Sequence, residues 1–227
     1  MTPLREIEWS KFSQNGEDGI IDYLIRRLQE CGRTFVEIGS GSGKQNNTTC
    51  LAQQGWSGTV FDRRPKRIDN YRKRGLSAVA AHIMEVKPEH AADVLALVPR
   101  TPDVFSLDID GFDYHVAAAL LGLGFRPAIA VLEYNASFVD DPVTIPYPLP
   151  LPVKHSYFGC GVAEWRKLFE PAGYSFVTVE TAGVNAFFVR VETIPAYCLA
   201  DVEWLSWADC RNLEALDERR AKLLQWV

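Results

Sequence analysis

The residues whose spacing carries most chemistry are Glu37, Gly39, Gly41 and Gly43, on alternate positions of Val36-Glu37-Ile38-Gly39-Ser40-Gly41-Ser42-Gly43. Glycines directly after an apolar run let the main chain turn sharply and bring its amides against a ligand with no Cβ in the way. The dinucleotide fingerprint is spaced G-x-G-x-x-G. Here the pattern is E-x-G-x-G-x-G, and an acid two residues before the first glycine suits a ligand with a cationic end. Asp62 closes the next β-rich run, Thr59-Val60-Phe61, where a carboxylate can accept both hydrogen bonds of a ribose diol.

A second group is made of oxygen donors: Asp108, Asp110 and Asp113, then Glu133 and Asn135. Carboxylates this close repel one another unless a cation, a proton or a basic side chain intervenes. Oxygen-only ligands favour a hard ion such as Mg²⁺, with Ca²⁺ or Mn²⁺ as alternatives. Such an ion would act as a Lewis acid on a substrate hydroxyl and fix its oxygen for reaction. A metal-free polar site uses the same residues. So does plain capping, with Asp110-Gly111 as a turn, Asp108 as a helix cap and Asp113 complementing the helix dipole.

General bases near neutral pH are offered by His155, beside Tyr157, and by His115. Tyr134, Phe138, Tyr147, Tyr157 and Phe158 could wall a ring or a sugar, in a stretch that five prolines keep irregular, or pack on themselves as a surface loop. Arg63, Arg64, Lys66, Arg67, Arg72, Lys73 and Arg74 form the basic run, readable as a solvated helix face or as a receiver of phosphate or carboxylate. The five cysteines, at 31, 50, 160, 198 and 210, are scattered without a C-x-x-C pair and indicate neither a zinc cage nor a disulfide framework.

These groups need elements to hold them. Helical periodicity covers Glu17 to Glu30, Asn47 to Gln54, Pro65 to Arg74, Pro88 to Val98, Tyr114 to Gly122 and Val162 to Ala172. Short β-rich runs are Thr34 to Ile38, Thr59 to Phe61, Leu76 to Ala81, Asp103 to Leu107, Ala128 to Leu132, Ser175 to Val179 and Ala186 to Val191. The last two are separated by Thr181-Ala182-Gly183-Val184-Asn185, a tight antiparallel connection. The tail from Asp201 to Val227 reads as mostly helical, with a leucine stripe and Trp204, Trp207 and Trp226, a surface for a homodimer or a lid. Alternating strands and helices followed by a hairpin predict one α/β domain with a doubly wound sheet, in which ligands bind beyond the carboxyl ends of the strands.

An acid before the glycines and an acid after the second strand resemble motifs one and two of the class I S-adenosylmethionine (SAM)-dependent methyltransferases. Phe12-Ser13-Gln14-Asn15-Gly16-Glu17-Asp18-Gly19-Ile20, Val36-Glu37-Ile38-Gly39 and Asn46-Asn47-Thr48 with Gly55-Trp56-Ser57-Gly58 look like the FkbM-type branch of that superfamily. So do Asp108-Ile109-Asp110-Gly111-Phe112-Asp113-Tyr114 and Leu132-Glu133-Tyr134-Asn135, and together the blocks span residues 12–190. The resemblance implies a Rossmann-like seven-stranded sheet, mostly parallel with an antiparallel edge hairpin, and SAM as cofactor. It implies that Glu37, Gly39, Ser40, Gly41 and Gly43 line the methionine and ribose end, Asp62 holds the ribose, and Glu85 flanks the adenine. Ser13 and Gln14 would approach from the opening helix, and Asp108 would stand beside the cofactor and, with Asp110 and His155, among the catalytic groups. Asp108 or Asp110 with Glu133 and Asn135 also resembles the metal layout of the catechol-type O-methyltransferases, with Asp113 as a further ligand. Tyr134, Asn135, Tyr147 and Tyr157 would meet the substrate.

The implied reaction is O-methylation of a sugar, polyol or hydroxylated secondary metabolite. Use of SAM through another bond, releasing methylthioadenosine, and an idle SAM- or nucleoside-binding module stay open beside it. Composition narrows the partners. At 227 residues, 47% of them hydrophobic, the chain can bury a substantial core. A net charge of −5 argues against holding nucleic acid or anionic membrane by bulk attraction, leaving a small molecule as the expected partner. With no apolar leader pattern and no run of uncharged apolar residues long enough to span a bilayer, the sequence reads as cytoplasmic.

Overall fold

A computed structural model describes residues 1–138, 143–148 and 158–206. Seven strands form one sheet: β1 (Thr34–Ile38), β2 (Ser57–Asp62), β3 (Val79–Ile83), β4 (Val104–Leu107), β5 (Ile129–Glu133), β6 (Tyr174–Val179) and β7 (Asn185–Arg190). Their spatial order is β3-β2-β1-β4-β5-β7-β6. The first five run parallel, and β7 enters antiparallel to both β5 and β6. This is the doubly wound sheet with an antiparallel edge hairpin that the alternation of elements predicts.

The central strands are buried on both faces, which is why Val36, Phe105 and the run Ile129-Ala130-Val131-Leu132 read as apolar throughout. Helices α1 (Glu17–Ile25), α2 (Thr49–Gln53) and α3 (Pro65–Arg72) cover one face, seating Ile20, Leu51 and Tyr71 against Phe35, Val60 and Phe187. On the opposite face α4 (Ala91–Leu95), α5 (Asp113–Gly122) and α6 (Val162–Phe169) bring Val94, Leu120 and Trp165 against Phe61, Phe105 and Phe188. Burying roughly 1.5–3 kcal/mol of transfer free energy per large side chain, the two layers fix where the strands end.

Several boundaries differ from the sequence reading. The opening helix stops at Ile25 rather than Glu30, because Arg33, at φ 58, and Gly32 must turn the chain into β1, and Gln29 is drawn aside to donate to the Thr193 carbonyl. The third strand lies at Val79–Ile83, two or three residues later than its periodicity predicts, since Leu76 belongs to the turn after α3. Within Asp201–Ser206 the expected helix is replaced by extended chain. Val202–Glu203 pairs parallel with Thr2–Pro3, and Leu205 exchanges hydrogen bonds with the Thr178 hydroxyl. Trp204, expected in the dimer surface, packs edge-on against Tyr23, and the rest of that surface and of the expected helical tail lies outside the described residues. No helix among the described residues is long and apolar enough to cross a membrane.

Candidate active site

The glycine turn follows β1 and is locked by main-chain bonds. The amides of Gly39 and Ser40 donate to the Phe61 carbonyl at 2.8 and 3.1 Å. Gly39 has φ 95, and a Cβ there would stand 1.6 Å from the Asp108 carbonyl oxygen, so no other residue lets β1 and β4 end side by side. The Gly41 amide donates to Asp62 Oδ2 at 3.0 Å, tying the turn to the end of β2. Asp62 is held further by the Arg64 amide on Oδ1 at 2.7 Å and by Arg67 Nη1, 3.4 Å from Oδ2.

Beside this turn an open groove of ≈ 200 Å³ runs along the carboxyl ends of the strands. That is an order of magnitude more than one bound water needs. Gly39, Asp62, Met84, Glu85, Val86, Asp108, Asp110 and Phe112 are among its lining residues. The sequence-predicted Gly39, Asp62, Glu85, Asp108 and Asp110 therefore line one groove.

Glu37 is placed differently from expectation. It points under the turn, 3% exposed, and its carboxylate accepts from Asn46 Nδ2 at 2.6 Å, the Asn47 amide at 3.0 Å and Thr48 Oγ1 at 2.7 Å. Burial raises its pKa to about 7, with the three hydrogen bonds opposing the shift. Gln14 is exposed in the bend before α1 and is not in the groove wall. Ser13 is buried there, its hydroxyl accepting from the Asp18 amide while Asp18 Oδ2 gathers the amides of Lys11, Phe12 and Ser13. Ser40 is fully buried, its hydroxyl without a hydrogen-bond partner among the described residues.

The acid rim divides into two parts. Asp108, Asp110 and Glu133 each bring a carboxylate oxygen within 4.8 Å of the others. Burial, then Asp113, Asp110 and Glu37, raise Asp108 to about 7. Burial and the neighbouring acids raise Glu133 well above the carboxylate range. Glu133 is 6% exposed and its Oε2 has no hydrogen-bond partner among the described residues. Its position is set by β5 and by Trp165 Nε1, which donates to its carbonyl at 3.0 Å. Asp110 is exposed at φ 55, a left-handed turn that Asp adopts more readily than most residues.

Asp113 and Asn135, also expected as ligands, make hydrogen bonds within their own loops. Asp113 is fully buried, with Oδ1 accepting from the Ile109 amide at 2.9 Å and Oδ2 from the Gly111 amide at 3.0 Å. It is the clamp that bends Asp108-Ile109-Asp110-Gly111 into the rim, and burial raises it to about 6. Asn135 holds the following turn, its Oδ1 accepting from the Ser137 amide and its Nδ2 donating to the Phe158 carbonyl, both at 3.1 Å. Tyr134, expected at the substrate, is 3% exposed and part of the core.

Tyr147 fits the aromatic wall better. It packs edge-on against Phe112 with centroids 4.7 Å apart, and its hydroxyl donates to Glu89. His115 is fixed by the Ile145 carbonyl, 2.8 Å from Nε2, and supports this wall. His155 and Tyr157 lie outside the described residues.

Sequence reasoning missed Glu17 and Glu180, both fully buried. Glu180 accepts from the Val184 and Asn185 amides, and Asn185 Nδ2 donates to Glu17 Oε1 at 2.9 Å. An acid ending a strand just before a glycine-bearing tight turn was the available signal. The pair fastens the start of α1 to the β6–β7 hairpin, with burial and Glu17 raising Glu180 to about 8.

Sheet order, glycine turn and acid rim thus define a doubly wound α/β protein with a ligand groove at the strand ends. The chain superposes on a TehB-like SAM-dependent methyltransferase from Corynebacterium glutamicum at TM-score 0.48 and 16% identity, over 78% of this chain and 88% of that one. It superposes on an O-methyltransferase from Bacillus cereus in complex with SAH at TM-score 0.49 and 17% identity, over 82% and 84%. For the pyocyanin biosynthetic protein PhzM the values are 0.46 and 21%, over 75% of this chain and 54% of that one, so the chain spans about half of PhzM. Likeness at these identities concerns architecture. No family model matches the chain, and no curated protein does.

Proposed function

We propose that the chain is a SAM-dependent methyltransferase of FkbM-like type that acts on a hydroxyl of a small molecule. One observation carries the reading: a single groove joins the glycine turn, the acid after β2 and the acid rim after β4. SAM, when bound, supplies a methyl group on a sulfonium sulfur. Asp62, held by two main-chain amides, keeps lone pairs for a ribose diol. Met84 and Val86 offer apolar surface to the adenine, with Glu85 at its edge. Glu37 supports the turn from beneath.

Asp108 and Asp110 line the acceptor end, with a Glu133 carboxylate oxygen within 4.8 Å of theirs. A carboxylate titrating near neutral pH can take a hydroxyl proton while still ionised often enough to act, which suits Asp108 for the base. Three converging carboxylates, one of which has a buried oxygen without a partner, also fit a hard divalent cation. Asp108, Asp110 and Glu133 would hold it, and its chemistry would be Lewis acidity toward the acceptor hydroxyl.

Calorimetric titration with SAH tests the cofactor. The expected result is one-to-one binding, weakened in Asp62→Ala by about 1.5–3 kcal/mol, or roughly 10- to 150-fold. Absence of binding to the wild-type chain sinks the proposal. Release of SAH from SAM with a hydroxylated acceptor identifies methyl transfer, whereas methylthioadenosine identifies use of another bond. Paramagnetic titration with Mn²⁺ tests the cation: wild type binds and Asp110→Ala binds less. If neither binds, the metal part fails alone.

A further inference from the structure

We propose that the basic lip of the groove, Arg63, Arg64, Arg67 and Lys87, is a subsite for a phosphate carried by the acceptor; this rests on the groove being the SAM site. The four cations come from three places, the loop after β2, the first turn of α3 and the loop after β3, yet all line the same groove. Facing them at that end are two carboxylates, Asp62 and Glu85.

Their contacts are loose. Arg63 Nη1 is 3.7 Å from Glu85 Oε1, Lys87 Nζ is 3.2 Å from the other oxygen of the same carboxylate, and Arg67 Nη1 is 3.4 Å from Asp62 Oδ2. Formed charge-assisted bonds measure about 2.7–2.9 Å. The Arg64 side chain has no hydrogen bond or ion pair among the described residues. Guanidiniums held this loosely keep their two-pronged donor faces for a phosphate.

Apart from the long Arg67–Asp62 contact, the helix these residues introduce gains nothing from them. Arg64 precedes α3, Lys66 and Arg67 stand in its first turn, and no acid does, so the charges oppose the helix dipole. A rule of local stability broken without a structural return marks a functional position. An anion at the lip would offset both the dipole and the clustered cations. Charge also changes sign along the groove, since Asp108 and Asp110, which line it too, would repel the same anion. An acceptor with a phosphate at one end and a hydroxyl at the other is therefore oriented before it reacts, its hydroxyl at the acid rim.

The test is calorimetry of inorganic pyrophosphate with SAH-saturated protein at low salt, for the wild type, the double variant Arg63→Gln/Arg64→Gln and its Lys/Lys counterpart. Pyrophosphate should bind the wild type, at least about tenfold more weakly the Gln/Gln variant, and in between the Lys/Lys variant, with affinity falling as NaCl rises. SAH titration of each variant reads the cofactor site separately. If SAH binds and pyrophosphate does not, or binds Gln/Gln equally well, the subsite is wrong and the methyltransferase reading stands. Mutual exclusion of SAH and pyrophosphate also overturns it, because the bases would then serve the cofactor's own position. If SAH fails to bind the wild type, both readings fall.

Discussion

Glu37 and Glu133 sit near the carboxyl ends of two strands of one sheet and are buried almost equally, at 3% and 6% exposure, but their surroundings are opposite. Glu37 receives three donors, from Asn46, Asn47 and Thr48, within eleven residues of its own position. Glu133 receives two acids as neighbours and leaves Oε2 unpartnered. Burial raises both pKa values, but hydrogen bonds restrain the first shift while neighbouring carboxylates enlarge the second. A buried acid whose oxygens are satisfied belongs to the scaffold. One left short of partners is held ready for a proton, a cation or a substrate.

Gly39→Ala should have the largest effect on this arrangement. Its Cβ meets the Asp108 carbonyl, so the scaffold half must push the rim half away, at a cost above about 4 kcal/mol in denaturant unfolding. Wild-type stability would show that the two halves are not in contact. Next comes the direct comparison of the acids. Glu37→Ala strands three buried donors and should cost about 3 kcal/mol or more, whereas Glu133→Gln removes an unwelcome charge and should shift stability by less than about 1 kcal/mol. Equal losses would erase the distinction.

The pH profile sharpens it. Folded values of about 7 for Glu37 and Asp108, about 6 for Asp113 and about 8 for Glu180 lie above those of the unfolded chain, so the folded state retains protons that the unfolded state releases. Their contribution is full below the unfolded carboxylate values near about pH 4 and is lost as pH rises through the folded ones. Thermal melts of the metal-free protein should thus fall between about pH 5 and 8, less steeply in Glu37→Gln. A melting temperature rising over that range would contradict the assigned directions. The smallest effect belongs to Asp110→Gly, which relieves a left-handed Asp and should alter stability by less than about 1 kcal/mol. A larger loss would make Asp110 part of the scaffold.

The scaffold was the more legible half. β1 stands where Thr34 to Ile38 predicts, because an apolar run before a glycine turn leaves the chain few alternatives. β3 is shifted because an edge strand, half exposed, lacks a strict apolar pattern to fix its position. Asp108, Asp110 and Glu133 could be named from the sequence since each ends or follows a strand. The loop-holding bonds of Asp113 and Asn135 were not legible, because an acid or amide that binds its own loop has the same spelling as one that faces a ligand. For Glu37 the place beside the glycines is evident in sequence, but its hydrogen bonds depend on Asn46, Asn47 and Thr48 folding back over it.

The central claim is that the groove holds SAM with its ribose on Asp62, and a crystal structure of the protein with SAH tests it most directly. The account predicts both ribose hydroxyls on the Asp62 carboxylate, the adenine against Met84 and Val86, and the sulfur on the side of Asp108. Adenosine bound elsewhere, or Asp62 facing no ligand atom in a loaded crystal, would contradict it.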